Sequence, residues 1–208
     1  MFLKIMAEGG PVMWIILACS VISVFIFLEK LFYFHRVQIN AGDLVRGLVN
    51  VLKKNNIVEA ISLCDDTPGP AAHVMRSAIL AFEEGEENLR QSVEDTGLAE
   101  IPKLEARMKI LATIAYISPL LGLLGTVFGM IKIFRTITTR GAMVNASDLA
   151  DGIGQALYTT AAGLCVAIPC YIAYNYLVSR IESITLDMEK SSSELIYFFK
   201  HNKDKLKK

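Results

Sequence analysis

The chain has 208 residues, of which 53% are hydrophobic and 20% charged, with a mean hydropathy of +0.42 and a formal net charge of zero. The hydropathy is high for a water-soluble domain, and the neutral charge balance gives no overall field that would attract nucleic acid. The four cysteines form no C-x-x-C pair, so the sequence predicts neither a zinc site nor a redox couple.

Three apolar runs are long enough to cross a membrane as helices. The first has no charge between Val12 and Leu28, and the aromatic residues after it extend the predicted helix over residues 12–34. A cleaved signal peptide is the competing interpretation, but this run exceeds the usual apolar core of about 7–15 residues. The second span is predicted over residues 110–131 and the third over residues 153–178, both without a charged side chain.

The segment between the first two spans, residues 35–109, is polar and rich in charge, and its apolar spacing predicts helices. These helical patterns lie over residues 57–63, over residues 71–82 and from Leu89 towards the second span. A break containing Pro and Gly at residues 65–70 separates the first two patterns. Residues 83–87 are predicted to form a solvated acidic turn rather than a metal site.

The positions of Lys and Arg predict the orientation of the spans. The flanks expected in the cytoplasm carry Lys30, Arg36, Lys103, Arg107, Lys109 and Arg180. This orientation leaves residues 1–11 and the loop over residues 132–152 outside, and places residues 179–208 inside as a helical tail. Lys132, Arg135 and Arg140 in the outer loop argue against it. The basic end of the tail is predicted either to contact anionic lipid head groups or only to keep the tail soluble.

Small residues form a stripe on each of the two later spans. The stripe on the second span contains Gly122, Gly125 and Gly129, and that on the third contains Gly152, Ala156, Thr160, Gly163 and Ala167. Such stripes allow helix backbones to approach closely in lipid, where packing replaces the hydrophobic drive between helices. Packing within one hairpin and a pore-lining face are both compatible with the pattern. Pro119 and Pro169 are predicted to kink these spans, and Pro102 the preceding helix.

None of the three apolar runs contains Asp, Glu, Lys, Arg or His. Proton transfer through a membrane normally needs a titratable group within the bilayer. Thr126, Thr159, Thr160 and Asn175 form hydrogen bonds but do not exchange protons near pH 7, and tyrosine titrates near pH 10. If this chain conducts protons, the carboxylate must therefore come from a partner helix.

Two stretches resemble the signature of the MotA/TolQ/ExbB proton channel family over roughly residues 104–180. One is Leu111-Ala-Thr-Ile-Ala-Tyr-Ile-Ser-Pro-Leu-Leu-Gly-Leu-Leu-Gly-Thr-Val-Phe-Gly-Met130, preceded by Glu105-Ala-Arg107. The other is Gly152-Ile-Gly-Gln-Ala-Leu-Tyr-Thr-Thr-Ala-Ala-Gly-Leu-Cys-Val-Ala-Ile-Pro169. Three spans, rather than the four of MotA, favour a resemblance to ExbB and TolQ.

The resemblance implies an all-α protein of the bacterial inner membrane, with a periplasmic N-terminus, a cytoplasmic C-terminus and long cytoplasmic helical extensions. It implies a homopentamer around a central pore, which is occupied by a dimer of an ExbD/TolR-like single-span subunit carrying the membrane aspartate. An ExbB-like motor would use the proton-motive force to energise a TonB-like protein for outer-membrane uptake, and a TolQ-like motor would maintain the envelope.

The resemblance also implies roles for three residues of this chain. Thr126 and Thr160 match the pore threonines of the family. Gln155 stands where ExbB proteins often have glutamate, and it keeps the hydrogen bonding of that residue but not its charge. The alternative functions are a membrane-embedded enzyme and a passive membrane scaffold. A membrane enzyme needs clustered catalytic groups, but the three histidines are dispersed over polar segments, and no cofactor or metal is expected. A passive membrane scaffold without ion flux would share every packing feature.

Overall fold

The structure, a computed structural model, describes residues 9–38, 40–85 and 89–206. Most of the predicted outer segment 1–11, together with Glu86 and Glu87 of the predicted acidic turn and the last two lysines, lies outside the described residues. Seven α-helices account for nearly all of the described chain. They are α1 (Gly10–Val37), α2 (Ala41–Leu52), α3 (Ile57–Asp66), α4 (Pro70–Glu84), α5 (Leu89–Glu105), α6 (Met108–Arg140) and α7 (Ala146–Leu206).

The predicted all-α class is confirmed for the described residues. Three stretches contain a window long and apolar enough to cross a membrane, namely Gly10–Leu52, Met108–Arg140 and Leu149–Asn202. Only 28%, 33% and 28% of the three windows is buried within the single chain. Apolar surface of this extent is expected to face lipid or other protein chains rather than water.

The connection between the second and third spans is shorter than the predicted loop over residues 132–152. α6 continues to Arg140, a 3₁₀ turn covers Gly141–Met143, and α7 begins at Ala146. Hydropathy reports where the hydrocarbon core ends, whereas a helix continues as long as its backbone hydrogen bonds are satisfied. Three threonine hydroxyls of this extension donate to carbonyl oxygens four residues earlier, which is compatible with helical geometry.

The helix before the second span, α5, does not end at Pro102. α5 continues through Pro102 to Glu105, and the chain turns at Ala106 and Arg107. Arg107 has a left-handed backbone, with φ of 67° and ψ of −8°, and its guanidinium forms an ion pair with Glu29. A left-handed residue ends a helix because it redirects the chain, so this residue rather than Pro102 separates α5 from α6.

The chain divides into two compact units. The first contains α1 up to Glu29 together with residues 107–176, and includes most of the apolar helical surface. Its described core includes Ile16 and Leu111, which are almost completely buried. The second unit contains residues 30–106 and 177–208.

The helices of the second unit begin and end at local signals. The Asn56 side chain accepts a hydrogen bond from the Glu59 backbone N–H at 3.3 Å, which caps the start of α3. Pro70 is at the first position of α4, and Gly85 in a left-handed conformation (φ 74°) ends that helix. The predicted break at residues 65–70 is thereby confirmed.

Aromatic stacking and one buried lysine stabilise the second unit. The rings of Phe82 and Phe199 are stacked with centroids 4.3 Å apart and an interplanar angle of 9°. Lys30 is only 5% exposed, and its Nζ donates to the Leu104 carbonyl oxygen at 3.0 Å in the last turn of α5. Cations at this end of a helix satisfy carbonyls that lack an intrahelical partner and interact favourably with the helix dipole.

Candidate site at the paired membrane helices

α6 and the amino-terminal part of α7 are antiparallel and very close to each other. A Cβ added at Gly163 would lie 2.5 Å from the Ser118 carbonyl oxygen, and one added at Gly129 would lie 2.7 Å from the Gly152 carbonyl oxygen. Ser118 thus pairs with Gly163 and Gly129 with Gly152, so the two helices run in opposite directions. These distances are shorter than real Cβ contacts, so only residues without a Cβ fit at this backbone separation.

The same contact continues between these two points. A Cβ added at Gly122 would lie 3.0 Å from the Thr160 Cα, and one added at Gly125 would overlap the Thr159 side chain. Ala156 is 7% exposed and its Cβ faces Gly129. The structure therefore brings together all five residues predicted for helix packing: Gly122, Gly125, Gly129, Ala156 and Gly163.

Thr160 joins the two helices through a polar contact. Its hydroxyl lies 3.3 Å from the Gly122 carbonyl oxygen on α6 and 3.1 Å from the Ala156 carbonyl oxygen on its own helix. The side chain is only partly buried. A hydroxyl has one proton to donate and two lone pairs that accept, so the accepting capacity of this oxygen remains available for a further group.

Thr126 is also half-buried, but its hydroxyl stays within its own helix. It donates to the Leu123 carbonyl oxygen at 2.6 Å. The antiparallel register, in which Gly122 faces Thr160, places Thr126 about one turn of α6 away from that contact. Both threonines belong to the helix pair, but the described hydrogen bonds do not link them.

The side chain of Gln155, a residue of α7, lies against the first residue of α1. Its Nε2 is 2.6 Å from the position that a Cβ at Gly10 would occupy, and Gly10 is the first residue of α1, with φ of +72°. The atom nearest to Gly10 is therefore a hydrogen-bond donor, and the contact with the start of α1 is one of packing. Glutamine at this position is therefore placed for a structural contact with α1.

Pro119 and Pro169 lie inside α6 and α7, and both helices continue through them. Each proline removes one backbone hydrogen bond and is tolerated in membrane helices when neighbouring groups compensate. The kinks expected at these residues remain a prediction.

Two buried hydroxyls belong to the contact although the sequence did not single them out as site residues. Thr159 and Ser118 are both 0% exposed. The Thr159 hydroxyl donates within its own helix at 3.0 Å, and the Ser118 hydroxyl donates to the Ile114 carbonyl oxygen at 2.7 Å. Thr159 lies three residues after Ala156 and four before Gly163, so its spacing on the small-residue stripe was a usable signal.

The site has hydrogen-bonding groups but no group that changes charge near neutral pH. Neither residues 110–131 nor residues 153–178 contain an acidic side chain, a basic side chain or a histidine. Within the described residues, no cluster of three or more His, Cys, Asp or Glu side chains could hold a metal ion. This helix pair can therefore support close packing and hydrogen bonding.

The fold and the helix pair define a multi-span α-helical membrane protein. A comparison with protein families then identifies its family, because residues 67–190 match the profile of the MotA/TolQ/ExbB proton channel family. The chain belongs to this family. The resemblance drawn from the two signature stretches is confirmed, and the family is one of channel and transport proteins rather than a known enzyme family.

Several curated proteins are similar to this chain. A putative biopolymer transport protein ExbB-like 1 from Synechocystis sp. is 32% identical over 91% of this chain and 76% of its own length. The biopolymer transport protein exbB1 from Vibrio cholerae is 30% identical over 80% of this chain and 74% of its own. The Tol-Pal system protein TolQ from Haemophilus influenzae is 44% identical over 42% of this chain and 38% of its own.

Proposed function

We propose that this chain is the scaffold subunit of an inner-membrane motor driven by the proton-motive force. The observation that carries the proposal is a close-packed helix pair with a half-buried threonine at Thr160 and no titratable side chain of its own along these spans. In the proposed motor, five copies surround a dimer of an ExbD/TolR-like single-span subunit. The partner contributes an aspartate, and the scaffold contributes hydroxyls and a rigid wall.

The proposed orientation follows the positive-inside rule. The N-terminus is periplasmic, the second unit is cytoplasmic, and the tail of α7 ends in the cytoplasm. Lys30 and Arg36 at the end of α1 and Lys103 near the end of α5 belong to the second unit, which supports this choice. Anionic lipid head groups are expected partners of these basic flanks.

Within the motor, Thr160 is proposed to hydrogen-bond the partner carboxyl group, and Thr126 to hold water or the partner helix one turn away. Gln155 is proposed to stabilise the start of α1 rather than to carry a proton, because its amide does not ionise and lies beside Gly10. The coupling ion is proposed to be the proton, and replacing a proton gradient with a sodium gradient in vesicles tests that choice.

We favour work of the ExbB type, in which a TonB-like protein energises outer-membrane uptake. Two relatives named as biopolymer transport proteins match 91% and 80% of this chain, whereas the TolQ relative matches 42% of it. A TolQ-like role in envelope maintenance is the second candidate, because the identity over that matched part reaches 44%. Complementation of strains lacking one or the other scaffold distinguishes the two roles.

The assembly is tested first by native mass spectrometry of the purified chain, alone and co-expressed with a single-span partner that carries a membrane aspartate. The proposal requires a mass of five chains that rises by two partner chains. A monomer or dimer whose mass is unchanged by co-expression of the partner would contradict the proposal.

Proton conduction is tested in vesicles containing the complex, with two neighbouring substitutions of equal size. Thr160→Val should abolish proton flux while leaving the assembly intact, because the accessible hydroxyl is lost. Thr159→Val is the matched control, since that hydroxyl is fully buried and satisfied within its own helix. Normal flux through Thr160→Val would remove the proposed role of the hydroxyl and favour a passive scaffold.

A further inference from the structure

The second unit contains an open groove with a volume of about 790 Å³ between α2 and α7. On one side it is lined by Arg46 and Asn50 of α2 and by Lys53, the residue that follows the helix, at spacings of four and three residues. On α7 it is lined by Lys190 and Tyr197, seven residues apart and therefore also on one face. The groove thus runs between two exposed helix faces.

The groove is positively charged, and most of that charge is unpaired. It contains three cations, Arg46, Lys53 and Lys190, against one carboxylate, Glu194. Among the described residues, no carboxylate lies within ion-pair distance of Lys53 or Lys190, while Arg46 has only a weak exposed contact with Asp43 at 3.9 Å. A groove of this kind favours an acidic occupant.

An acidic corner lies elsewhere on the same unit, where α4 ends. Glu83 and Glu84 are exposed there. Neither Glu83 nor Glu84 forms an ion pair with any described residue. Arg76, a cation lining the same small cleft as Glu84, is held by Asp65 at 2.8 Å.

The groove and the corner lie on opposite faces of α7 at a similar level. The corner directly follows Phe82, whose ring stacks on Phe199 of α7. Phe199 is nine residues after Lys190, or about two and a half turns, so the two side chains lie on opposite sides of α7. They are about 14 Å apart along the helix axis. Tyr197, also in the groove, is only two residues from Phe199.

Complementary patches at two different places on one protein allow a head-to-tail contact, which forms a ring when the rotation between neighbouring copies closes. We propose that the basic α2–α7 groove of one copy receives the acidic α4 corner of the neighbouring copy. The occupant is a second copy of this chain, because the chain itself supplies the opposite charge at the matching level. This inference rests on the ring of identical chains in the proposed function and specifies which surfaces meet within it.

Cysteine cross-linking between two differently tagged chains tests the contact. All four native cysteines are first replaced by alanine, and one chain then carries Asn50→Cys and the other Glu83→Cys. A short bis-maleimide should join the two chains in the assembled complex. The matched control replaces Glu83→Cys with Val58→Cys on α3, which is 79% exposed and outside the proposed contact. Equal yields from both pairs would overturn the proposal.

Charge reversal in the same reporter chains tests the electrostatic origin of the contact. Lys53→Glu together with Lys190→Glu should lower the cross-linking rate about three- to tenfold, because two exposed attractions become repulsions. Adding Glu84→Lys on the partner chain should restore part of the rate. An unchanged rate after the double reversal would overturn the proposal, and so would the absence of any rescue.

Native mass spectrometry of the parent chain separates the two levels of failure. If the parent forms no ring, the proposed function itself is wrong. If the parent forms a ring of five chains but the Asn50–Glu83 reporters do not cross-link above the control, only the assignment of the interface is wrong.

Discussion

Gly163→Ala adds a single methyl group at the closest approach of α6 and α7. The new Cβ would lie 2.5 Å from the Ser118 carbonyl oxygen and 3.1 Å from the Gly122 Cα, both of which are backbone atoms. Ordinary contacts need about 3.4–4 Å between such atoms, so the helices must separate by about 0.5–1 Å. Overpacking of this kind costs about 1–3 kcal/mol. At about 2–4 °C per kcal/mol for a chain of this size, we expect the melting temperature to fall by about 2–12 °C.

The matched control is Gly154→Ala, a chemically identical change in the same helix. Its Cβ would lie 3.6 Å from the Tyr158 Cε2, an ordinary contact within α7. Replacing glycine in a helix stabilises it by up to about 1 kcal/mol, so the melting temperature should hold or rise. Far-ultraviolet circular dichroism in one detergent, at one scan rate, measures both variants. If both shift the melting temperature equally, or Gly163→Ala has no effect, the close contact is not what stabilises the hairpin.

Three further predictions concern the second unit. Burial raises the pKa of the Cys64 thiol to about 11, so stability should be complete below about pH 9 and decline as the pH rises towards 11, and urea unfolding of Cys64→Ala should lack this decline. Lys30→Met should lower the free energy of unfolding by about 1–3 kcal/mol because the buried Leu104 carbonyl loses its donor, whereas an unchanged urea midpoint would contradict that role. Phe199→Ala should cost about 3–5 kcal/mol through the lost stack with Phe82, and a loss below about 1 kcal/mol would show that the stack is dispensable.

The sequence predicted the helical class and the apolar core of each span because both depend on local composition. The break at residues 65–70 was predictable for the same reason, since Pro and Gly act on their own backbone. The end of α5 was not, because the left-handed backbone at Arg107 accompanies an ion pair with Glu29, which is 78 residues away. No local pattern contains a contact of that kind.

The small-residue stripes predicted the contact between α6 and α7 but not how deeply each threonine hydroxyl is buried in it. Thr159 and Thr160 are adjacent, and spacing alone puts either on the stripe. Their difference arises from the rotation of α7 against α6, which buries one side chain completely beside Gly125 and leaves the other at the edge of the contact. That rotation depends on the packing of two whole helices.

The hydrogen bonds that each hydroxyl already forms determine whether it can bind a protonated or an ionised carboxyl group. The proton of Thr160 faces two backbone carbonyls, Gly122 at 3.3 Å and Ala156 at 3.1 Å, and its lone pairs remain available. In that rotamer the oxygen accepts a hydrogen bond from a protonated carboxylic acid, but it must rotate to donate to a carboxylate. Thr159 offers neither, because it is fully buried. If the proposed partner aspartate lies beside Thr160, its pKa should therefore be higher with Thr160 than with Thr160→Val, and the pH dependence of proton flux through the two complexes measures this difference.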